Sequence, residues 1–268
     1  MSVVMQDLPW PARSYLLALL SKLMEYSRLA ERFAISDFAY AHRGLWETGG
    51  PPENSLDAFL AAATHGLGIE FDIRPSADGV PIIFHDPTLD RMTEASGKVE
   101  ERTSDALVGT PLIGGGEIVT LATFLEAWPA TTPLLCELKV DGATDPVALS
   151  NAVSSQLKAH GGPAAMMSFS TKAVAAVPTG IMKGQLILPS KHTGETDLAS
   201  TPTTQVDYLA CHISDAANTS LQSARTTRPL VTWTVKDEAT CDVLNSLTDS
   251  QIFEGFDPVL AKRHILNR

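Results

Sequence analysis

Short apolar runs alternate with helix-like segments from Asp37 to the end of the chain. In chain order the runs are FAYAH, GIEFDI, PIIFH, PLLCELKV, AAMMSFS, GQLIL, DYLACHI, PLVTWTV and QIFEGF. Several of the segments between them, such as NSLDAFLAAATHG and DPVALSNAVSSQLKAHGG, begin with Asp, Asn, Ser or Thr and end near Gly or Pro, as capped helices do. Alternation of this kind predicts βαβ units and a parallel sheet.

The second and third runs are the exception, because only PSADGV separates GIEFDIR from PIIFH. This connection is too short for a parallel crossover, and its Asp78-Gly79 dipeptide is typical of a tight turn. We therefore expect an antiparallel hairpin after strand 2. The remaining eight strands predict a single (β/α)8 TIM barrel, with an open doubly wound sheet as the alternative. The charged and Gly-rich stretch at about 86–119 is predicted to be an insertion over the barrel mouth.

The segment 1–36 is predicted to form an N-terminal amphipathic helix before a barrel domain at 37–268. Leu16, Leu20, Leu23 and Ala30 recur near helical spacing. The apolar run YLLALL is too short to span a bilayer, and no small-residue cleavage site follows it closely. We expect this helix to pack on the bottom of the barrel. Weak contact with a membrane surface is the alternative, because the segment is net basic within an acidic chain.

Composition limits the partners and the compartment. A net charge of −11 over 268 residues argues against general nucleic-acid binding, which depends on clustered Lys and Arg. The three cysteines, Cys136, Cys211 and Cys241, are too few for a disulfide framework, and two lie inside apolar runs. This usage is typical of a reducing compartment, so a cytoplasmic location is expected.

Ionisable residues gather at the carboxyl ends of the early runs, where a barrel builds its active site. They are His42 and Arg43, Glu70 and Asp72, His85, and Glu137 and Lys139. Residues two apart in a strand project from the same face, so Glu70 and Asp72 share one face of their strand, and Glu137 and Lys139 share one face of theirs. Charges inside apolar strands are costly unless they are paired or bind a metal. The pattern therefore predicts a functional cluster at the mouth.

The residue types in this cluster favour phosphate chemistry. Three carboxylates without cysteine suit one hard divalent cation, Mg²⁺ or Ca²⁺. A cation held beside Arg43 and Lys139 would create a positive pocket that complements a phosphate. His42 and His85 could then act as general acid and general base near neutral pH. The combination is typical of a metal-assisted phosphodiester hydrolase.

Six motifs occur in the order and approximate spacing of one known family. They are His42-Arg43-Gly44, Pro52-Glu53-Asn54-Ser55, Glu70-Phe71-Asp72, Asp78-Gly79 followed by Phe84-His85-Asp86, Glu137-Leu138-Lys139 and Trp233-Thr234-Val235. From about Tyr40 to its end, the chain resembles the glycerophosphodiester phosphodiesterases. The resemblance implies a (β/α)8 barrel related to that of phosphoinositide-specific phospholipase C. It also implies cleavage of a small glycerophosphodiester to glycerol phosphate and an alcohol.

The same resemblance assigns roles to residues. It implies His42 and His85 as the acid/base or nucleophilic pair, and Glu70, Asp72 and Glu137 as metal ligands. It places Arg43 and Lys139 on the phosphate and Trp233 as an apolar wall near the glycerol. Gly44 would let the backbone turn away from the ligand.

Other positions depart from the family pattern or have open roles. Ser55 replaces the usual Thr and keeps a hydroxyl helix cap. Lys236 stands where the family often has Asn, and the stretch ending in Gly255-Phe256-Asp257-Pro258 differs from the family's last motif. We interpret these departures as bearing on substrate choice. For Glu53 and Asn54 we favour helix entry and loop hydrogen bonding over catalysis, and His212 could line the mouth or be structural.

Three functions follow as hypotheses. The first is metal-dependent hydrolysis of glycerophosphodiesters. The second keeps the same site but acts on lysophospholipids or other lipid phosphodiesters, with the N-terminal helix at the membrane. The third is a non-catalytic barrel that binds phosphodiesters, which would have no need for both histidines and all three carboxylates.

Overall fold

The sheet closes into a barrel in this computed structural model, which describes residues 33–194 and 206–266. Nine strands are described: β1 Tyr40–His42, β2 Gly68–Pro75, β3 Pro81–Ile83, β4 Leu134–Leu138, β5 Ala164–Ser168, β6 Met182–Leu186, β7 Tyr208–His212, β8 Leu230–Val235 and β9 Ser250–Phe253. Eight run parallel, and β1 pairs with both β9 and β2, which closes the ring. β3 pairs antiparallel with β2. The predicted TIM barrel and hairpin are confirmed.

Helices follow most of the strands. Their bounds are α1 Leu56–Thr64, α2 Ser104–Leu107, α3 Leu121–Ala127, α4 Pro146–His160, α5 Thr171–Ala176, α6 Ser190–Thr193, α7 Thr219–Arg225, α8 Glu238–Asn245 and α9 Pro258–Leu266. The longest of the described helices, α4, shows why these segments start and stop where they do. The Asp145 side chain accepts hydrogen bonds from the first turn, and Gly161 ends the helix in the left-handed conformation.

Strand alternation separates two apolar layers. In β2, Ile69, Phe71 and Ile73 point outward and pack against the helices in the main core. The other face of the strands points into the barrel, where Tyr40, Leu135, Tyr208 and similar residues fill the interior. The ionisable residues of β2 and β4 lie on this inner face, so the fold directs them into the barrel.

The amino-terminal end of the barrel is closed by residues before β1. Ile35 lies in a 3-10 turn, Ile35–Asp37, and is buried among the inner residues. The Tyr40 hydroxyl donates a hydrogen bond to the Ile35 carbonyl oxygen over 3.1 Å. Residues 1–32 of the segment predicted as a helix, 1–36, lie outside the described part of the chain. In the ranges 33–194 and 206–266, no helix is long and apolar enough to cross a bilayer.

The segment predicted as an insertion packs on the hairpin. Its apolar residues, among them Leu89, Val99 and Ile118, form a small core with Ile82 and Phe84. The buried Arg74 ties this unit to the barrel. It donates to the His85 carbonyl oxygen over 2.7 Å and forms ion pairs with Glu100 and Asp141. His85, two residues after the end of β3, is thereby held at the mouth.

Candidate active site

Strand register brings the predicted cluster together. In the pairing of β1 with β2, His42 stands opposite Glu70. In the pairing of β2 with β4, Asp72 stands opposite Glu137. Because inward-facing residues at matching levels of neighbouring strands are adjacent, these side chains meet at the carboxyl end of the barrel.

The cluster opens into a cavity of about 130 Å³. Its polar wall is formed by His42, Arg43, Glu70, His85, Glu137 and Lys139. Its apolar wall is formed by Met167, Phe169, Leu186, Trp233 and Ile252. One side therefore suits a charged group and the other an apolar surface. Every residue that the sequence assigned to catalysis or phosphate binding lines this cavity.

Three carboxylates lie together at the cavity, two of which, Glu70 and Glu137, line it. Glu70, Asp72 and Glu137 are buried, and one oxygen of each lies within 4.8 Å of the others. Burial raises the pKa of Glu70 well above its ordinary value, and the charges of Asp72 and Glu137 raise it further. Burial also raises the pKa of Glu137, with Lys139 opposing. The repulsion would be relieved by a cation, and an all-oxygen set suits Mg²⁺ or Ca²⁺, so the donor set fits the ion that the sequence implied.

Asp72 differs from its two neighbours because both basic residues contact it. Lys139 Nζ lies 3.0 Å from Asp72 Oδ1, and Arg43 Nε lies 3.2 Å from Oδ2. Burial alone would raise the pKa of Asp72, but these two positive charges hold it well below its usual range. Lys139 also lies 2.6 Å from Glu137 Oε1. Its own pKa is raised by the carboxylates against the effect of burial, so Lys139 is charged at neutral pH.

The backbone around Arg43 is shaped for the site. Arg43 has φ 58° and Gly44 has φ 85°, both in the left-handed region. A side chain at Gly44 would also meet the backbone of Ala58 at 2.8 Å, so glycine is required there for two reasons. A non-glycine residue at positive φ is costly and is found most often at functional sites. The turn holds Arg43 Nε beside Asp72 and directs the following backbone away from the barrel mouth.

Glu53 and Asn54 support the site rather than only the entry to α1. The cap of α1 is Ser55, whose hydroxyl accepts from Ala58 N over 3.2 Å. Asn54 instead donates from Nδ2 to Asp72 Oδ2 over 2.9 Å and accepts from the Asp72 backbone N–H. Glu53 accepts from Arg43 Nη1 over 2.8 Å. These loop hydrogen bonds, favoured from the sequence, fix one candidate metal ligand and one candidate phosphate ligand.

His85 is held by the carboxylate of Asp86, which is in turn held by Arg91 of the insertion. Its Nδ1 lies 2.6 Å from Asp86 Oδ1. Arg91 donates to Asp86 Oδ2 over 2.6 Å, and its other nitrogens reach Glu53 Oε1 and Oε2. Arg91 was not anticipated from the sequence, because Glu53, one of its two partners, lies 38 residues away along the chain. It connects the group that orients His85 with the group that orients Arg43.

His42 has a corresponding carboxylate partner that the sequence reasoning missed. Its Nδ1 is hydrogen bonded to Glu254 Oε2, just after β9, while its Nε2 lies 3.9 Å from Glu70 Oε2. Burial lowers the pKa of His42, and the contact with Glu254 opposes that shift. Burial likewise lowers the pKa of His85. Both rings thus have Nδ1 engaged and Nε2 free of a hydrogen bond to the described side chains.

Trp233 and His212 occupy different positions. Trp233 lines the cavity and packs edge-on against Phe169, with ring centroids 6.1 Å apart. His212 contacts the Trp233 ring and is hydrogen bonded to Ser214, but it lines a separate groove against α8. Of the two interpretations left open for His212, the geometry favours support of Trp233.

Replacing Arg91 with alanine is expected to lower kcat/KM on a phosphodiester substrate by about 10-fold, because contacts that orient functional groups are typically worth about 10–100-fold. The fold should persist, since the Arg91 side chain is 46% exposed. Steady-state kinetics with a circular dichroism melt would measure this. Lys98→Ala is the control, because it breaks an exposed ion pair with Glu101 in the same insertion. Equal effects of the two substitutions would contradict the orienting role.

Comparison with known proteins places this site in a family. The sequence pattern of the glycerophosphoryl diester phosphodiesterase family matches residues 42–250. The chain belongs to this family. Among curated relatives, glycerophosphodiester phosphodiesterase 1 of Rattus norvegicus is 46% identical over 66 residues. The matched segment spans 24% of this chain and 19% of the rat protein.

Solved structures of family members share the fold. A phosphodiesterase of Oleispira antarctica, in complex with the product sn-glycerol-3-phosphate, has a TM-score of 0.71 at 22% identity, covering 86% of this chain and 97% of its own. A glycerophosphodiester phosphodiesterase of Thermotoga maritima has a TM-score of 0.67 at 21% identity, covering 84% and 95%. At these identities the similarity concerns the barrel rather than the substrate.

Proposed function

We propose that this chain hydrolyses glycerophosphodiesters to glycerol phosphate and an alcohol, with His42 and His85 carrying the proton transfers. The observation that supports this most directly is the convergence of both imidazoles with Arg43 and Lys139 on one cavity beside a buried carboxylate triad. Family membership and the product bound to the Oleispira relative are consistent with it.

Glu70, Asp72 and Glu137 would hold one divalent cation, Mg²⁺ or Ca²⁺. When bound, such a cation neutralises charge on the phosphate oxygens and makes the phosphorus more electrophilic. Arg43 and Lys139 supplement it from the protein side. Their charges are held in place by Asp72 and Glu53, so little reorganisation is needed as negative charge develops on the phosphate.

The histidines would perform acid–base catalysis through Nε2. One imidazole accepts a proton at Nε2 from the attacking water molecule as the new P–O bond forms. The other donates its Nε2 proton to the departing alcohol oxygen as the old P–O bond breaks. The proton that one ring accepts is matched by the proton that the other delivers, so the ring that acts as acid begins protonated at both nitrogens and the ring that acts as base begins neutral. Burial lowers the pKa of both rings, which favours release of the proton from the acid.

Cavity size favours a small substrate. A cavity of about 130 Å³, bounded among the described residues by Phe169, Met167 and Trp233, suits a glycerol phosphate group better than an acyl chain. We therefore favour glycerophosphodiesters over lysophospholipids. The apolar wall would contact the glycerol carbons while the polar wall holds the phosphate.

A substrate panel tests the function. Purified protein would be incubated with glycerophosphocholine, glycerophosphoethanolamine, glycerophosphoglycerol and lysophosphatidylcholine, each with Mg²⁺, Ca²⁺ or EDTA. Release of glycerol 3-phosphate would be measured for the three glycerophosphodiesters, and release of choline for lysophosphatidylcholine. We expect release from at least one small diester, with metal and not with EDTA. Turnover of lysophosphatidylcholine alone would replace the substrate assignment. Absence of turnover on all four would leave phosphodiester binding without catalysis.

A further inference from the structure

The carboxylate that contacts His42 is itself held by a lysine. Glu254 Oε2 is hydrogen bonded to His42 Nδ1, and Lys236 Nζ lies 2.7 Å from the other oxygen, Oε1. The Glu254 side chain is only 11% exposed, whereas Lys236 is 67% exposed. Each oxygen of one carboxylate thus has a different basic partner, one inside the barrel and one at its rim.

Strand register explains why these three residues meet. β1 pairs with β9 so that Ala41 stands opposite Phe253, and the next level therefore aligns His42 with Glu254. β8 pairs with β9 so that Val235 stands opposite Phe253, and the next level aligns Lys236 with Glu254. A backbone hydrogen bond from Glu254 N to Val235 O, 2.9 Å, fixes that level. The three side chains form a row across three adjacent strand ends.

A carboxylate at Nδ1 has a defined effect on an imidazole. Neutral histidine exists in two tautomers, and an acceptor at one nitrogen selects the form with the proton there. With Glu254 accepting from Nδ1–H, the Nε2 lone pair of His42 faces the cavity. Glu254 does not line the cavity, so any effect on substrate passes through the His42 ring.

The other histidine has the same arrangement. Asp86 contacts His85 Nδ1, and Arg91 holds Asp86 from outside. Two histidines near the ends of different strands, each with a carboxylate at Nδ1 and a basic residue behind it, point to a shared requirement rather than to an isolated surface ion pair.

We propose that Glu254 and Lys236 are positioning residues for His42: Glu254 sets the orientation and tautomer of the ring, and Lys236 fixes Glu254. This rests on the proposed function, in which His42 transfers a proton. It also gives Lys236, which departs from the family pattern, a role in chemistry instead of the substrate choice suggested by sequence.

Kinetics of three single variants and one double variant test these positioning roles. Glu254→Ala is expected to lower kcat by about 10–100-fold, a part of the roughly 10²–10⁴-fold that acid–base catalysis contributes, with KM changed less than about 2-fold. Glu254→Gln, which keeps an acceptor of the same shape, should recover part of the loss. Lys236→Met should lower kcat less than Glu254→Ala. Adding Lys236→Met to Glu254→Ala should cost nothing more, because Lys236 acts through Glu254.

A matched control uses another carboxylate–histidine pair. Glu238 Oε2 lies 3.2 Å from His264 Nε2 on α8 and α9, away from the cavity. Glu238→Ala should leave kcat and KM unchanged. Loss in this variant equal to that in Glu254→Ala would overturn the proposal, because any broken surface pair would then have the same effect.

An activity-independent readout separates this proposal from the proposed function. The ¹⁵N spectrum of histidine-labelled protein, with the His42 signals identified through His42→Ala, reports which ring nitrogen carries the proton. We expect Nδ1–H in the wild type and a tautomer mixture in Glu254→Ala or, if that variant does not fold, a shift toward a mixture in Lys236→Met. An unchanged His42 spectrum in folded variants overturns the positioning role, even if the wild type proves to hydrolyse no substrate tested.

Discussion

His42→Ala and His85→Ala are each expected to lower kcat/KM for the best glycerophosphodiester by about 10²–10⁴-fold, the range that positioned acid–base groups contribute. Both rings line the cavity and each has Nε2 free for substrate. Losing either would remove one of the two proton transfers, while metal and phosphate binding would persist. The loss should therefore appear mainly in kcat rather than in KM. Steady-state kinetics on both variants, with metal saturating, would measure this.

Two further measurements make the histidine prediction specific. His65→Ala alters an exposed histidine at the end of α1 and should match the wild type. The double variant His42→Ala/His85→Ala should be less impaired than the product of the single effects, because the two rings act as a unit. Full activity in both single variants would show that catalysis, if present, occurs elsewhere.

The second large effect is expected from metal binding. Mg²⁺ or Ca²⁺ at about 100 times its dissociation constant should stabilise the fold by about 2.7 kcal/mol. For a domain of this size that corresponds to a rise in Tm of about 5–10 °C. The stabilisation arises because the cation offsets repulsion among three buried carboxylates. Differential scanning calorimetry in EDTA and in each metal would detect it, and activity should follow the same titration.

The variant Glu70→Gln tests whether the three carboxylates are the cause of the metal-induced stabilisation. It should abolish most of the metal-induced rise in Tm and most of the activity, yet it should not lower Tm in EDTA. The folded-state pKa of Glu70 is raised, so the folded protein binds more protons at this group than the unfolded chain does. Its contribution to stability therefore declines as pH rises above about 4.3, the ordinary Glu value. In EDTA, the Tm of Glu70→Gln relative to wild type should increase with pH over that window.

A control for the carboxylate effect is Glu101→Gln, which changes an exposed residue of the insertion. It should leave the metal response intact. A metal-induced rise in Tm that survives in Glu70→Gln and in Glu137→Gln would place the cation somewhere other than the triad.

The local pattern of the sequence was sufficient for the barrel and for the core of the site. Alternating runs predicted the strands, and PSADGV predicted the hairpin because no crossover fits in six residues. Glu70, Asp72 and Glu137 stood out because charges inside apolar strands need partners. Such signals are readable locally, since strand period alone decides which residues share a face.

Contacts between distant segments were not readable in the same way. Arg91 reaches Glu53 across 38 positions, and nothing in the spacing specifies that pair. Asn54 contacts Asp72 from a backbone at φ 56°, a conformation that the local sequence pattern does not indicate. Glu254 is different: it follows an apolar strand directly, as Glu137 lies near the end of another, so the rule that identified the triad also applies to it.

Hydrolysis in ¹⁸O-labelled water is the most direct test of phosphodiester hydrolysis by this protein. Wild-type protein with metal and its best small glycerophosphodiester would be followed by mass spectrometry of both products. We expect one ¹⁸O atom in each glycerol phosphate released and none in the alcohol, because water attacks phosphorus at the mouth of the barrel. No labelled glycerol phosphate from any diester, or label in the alcohol, would contradict it.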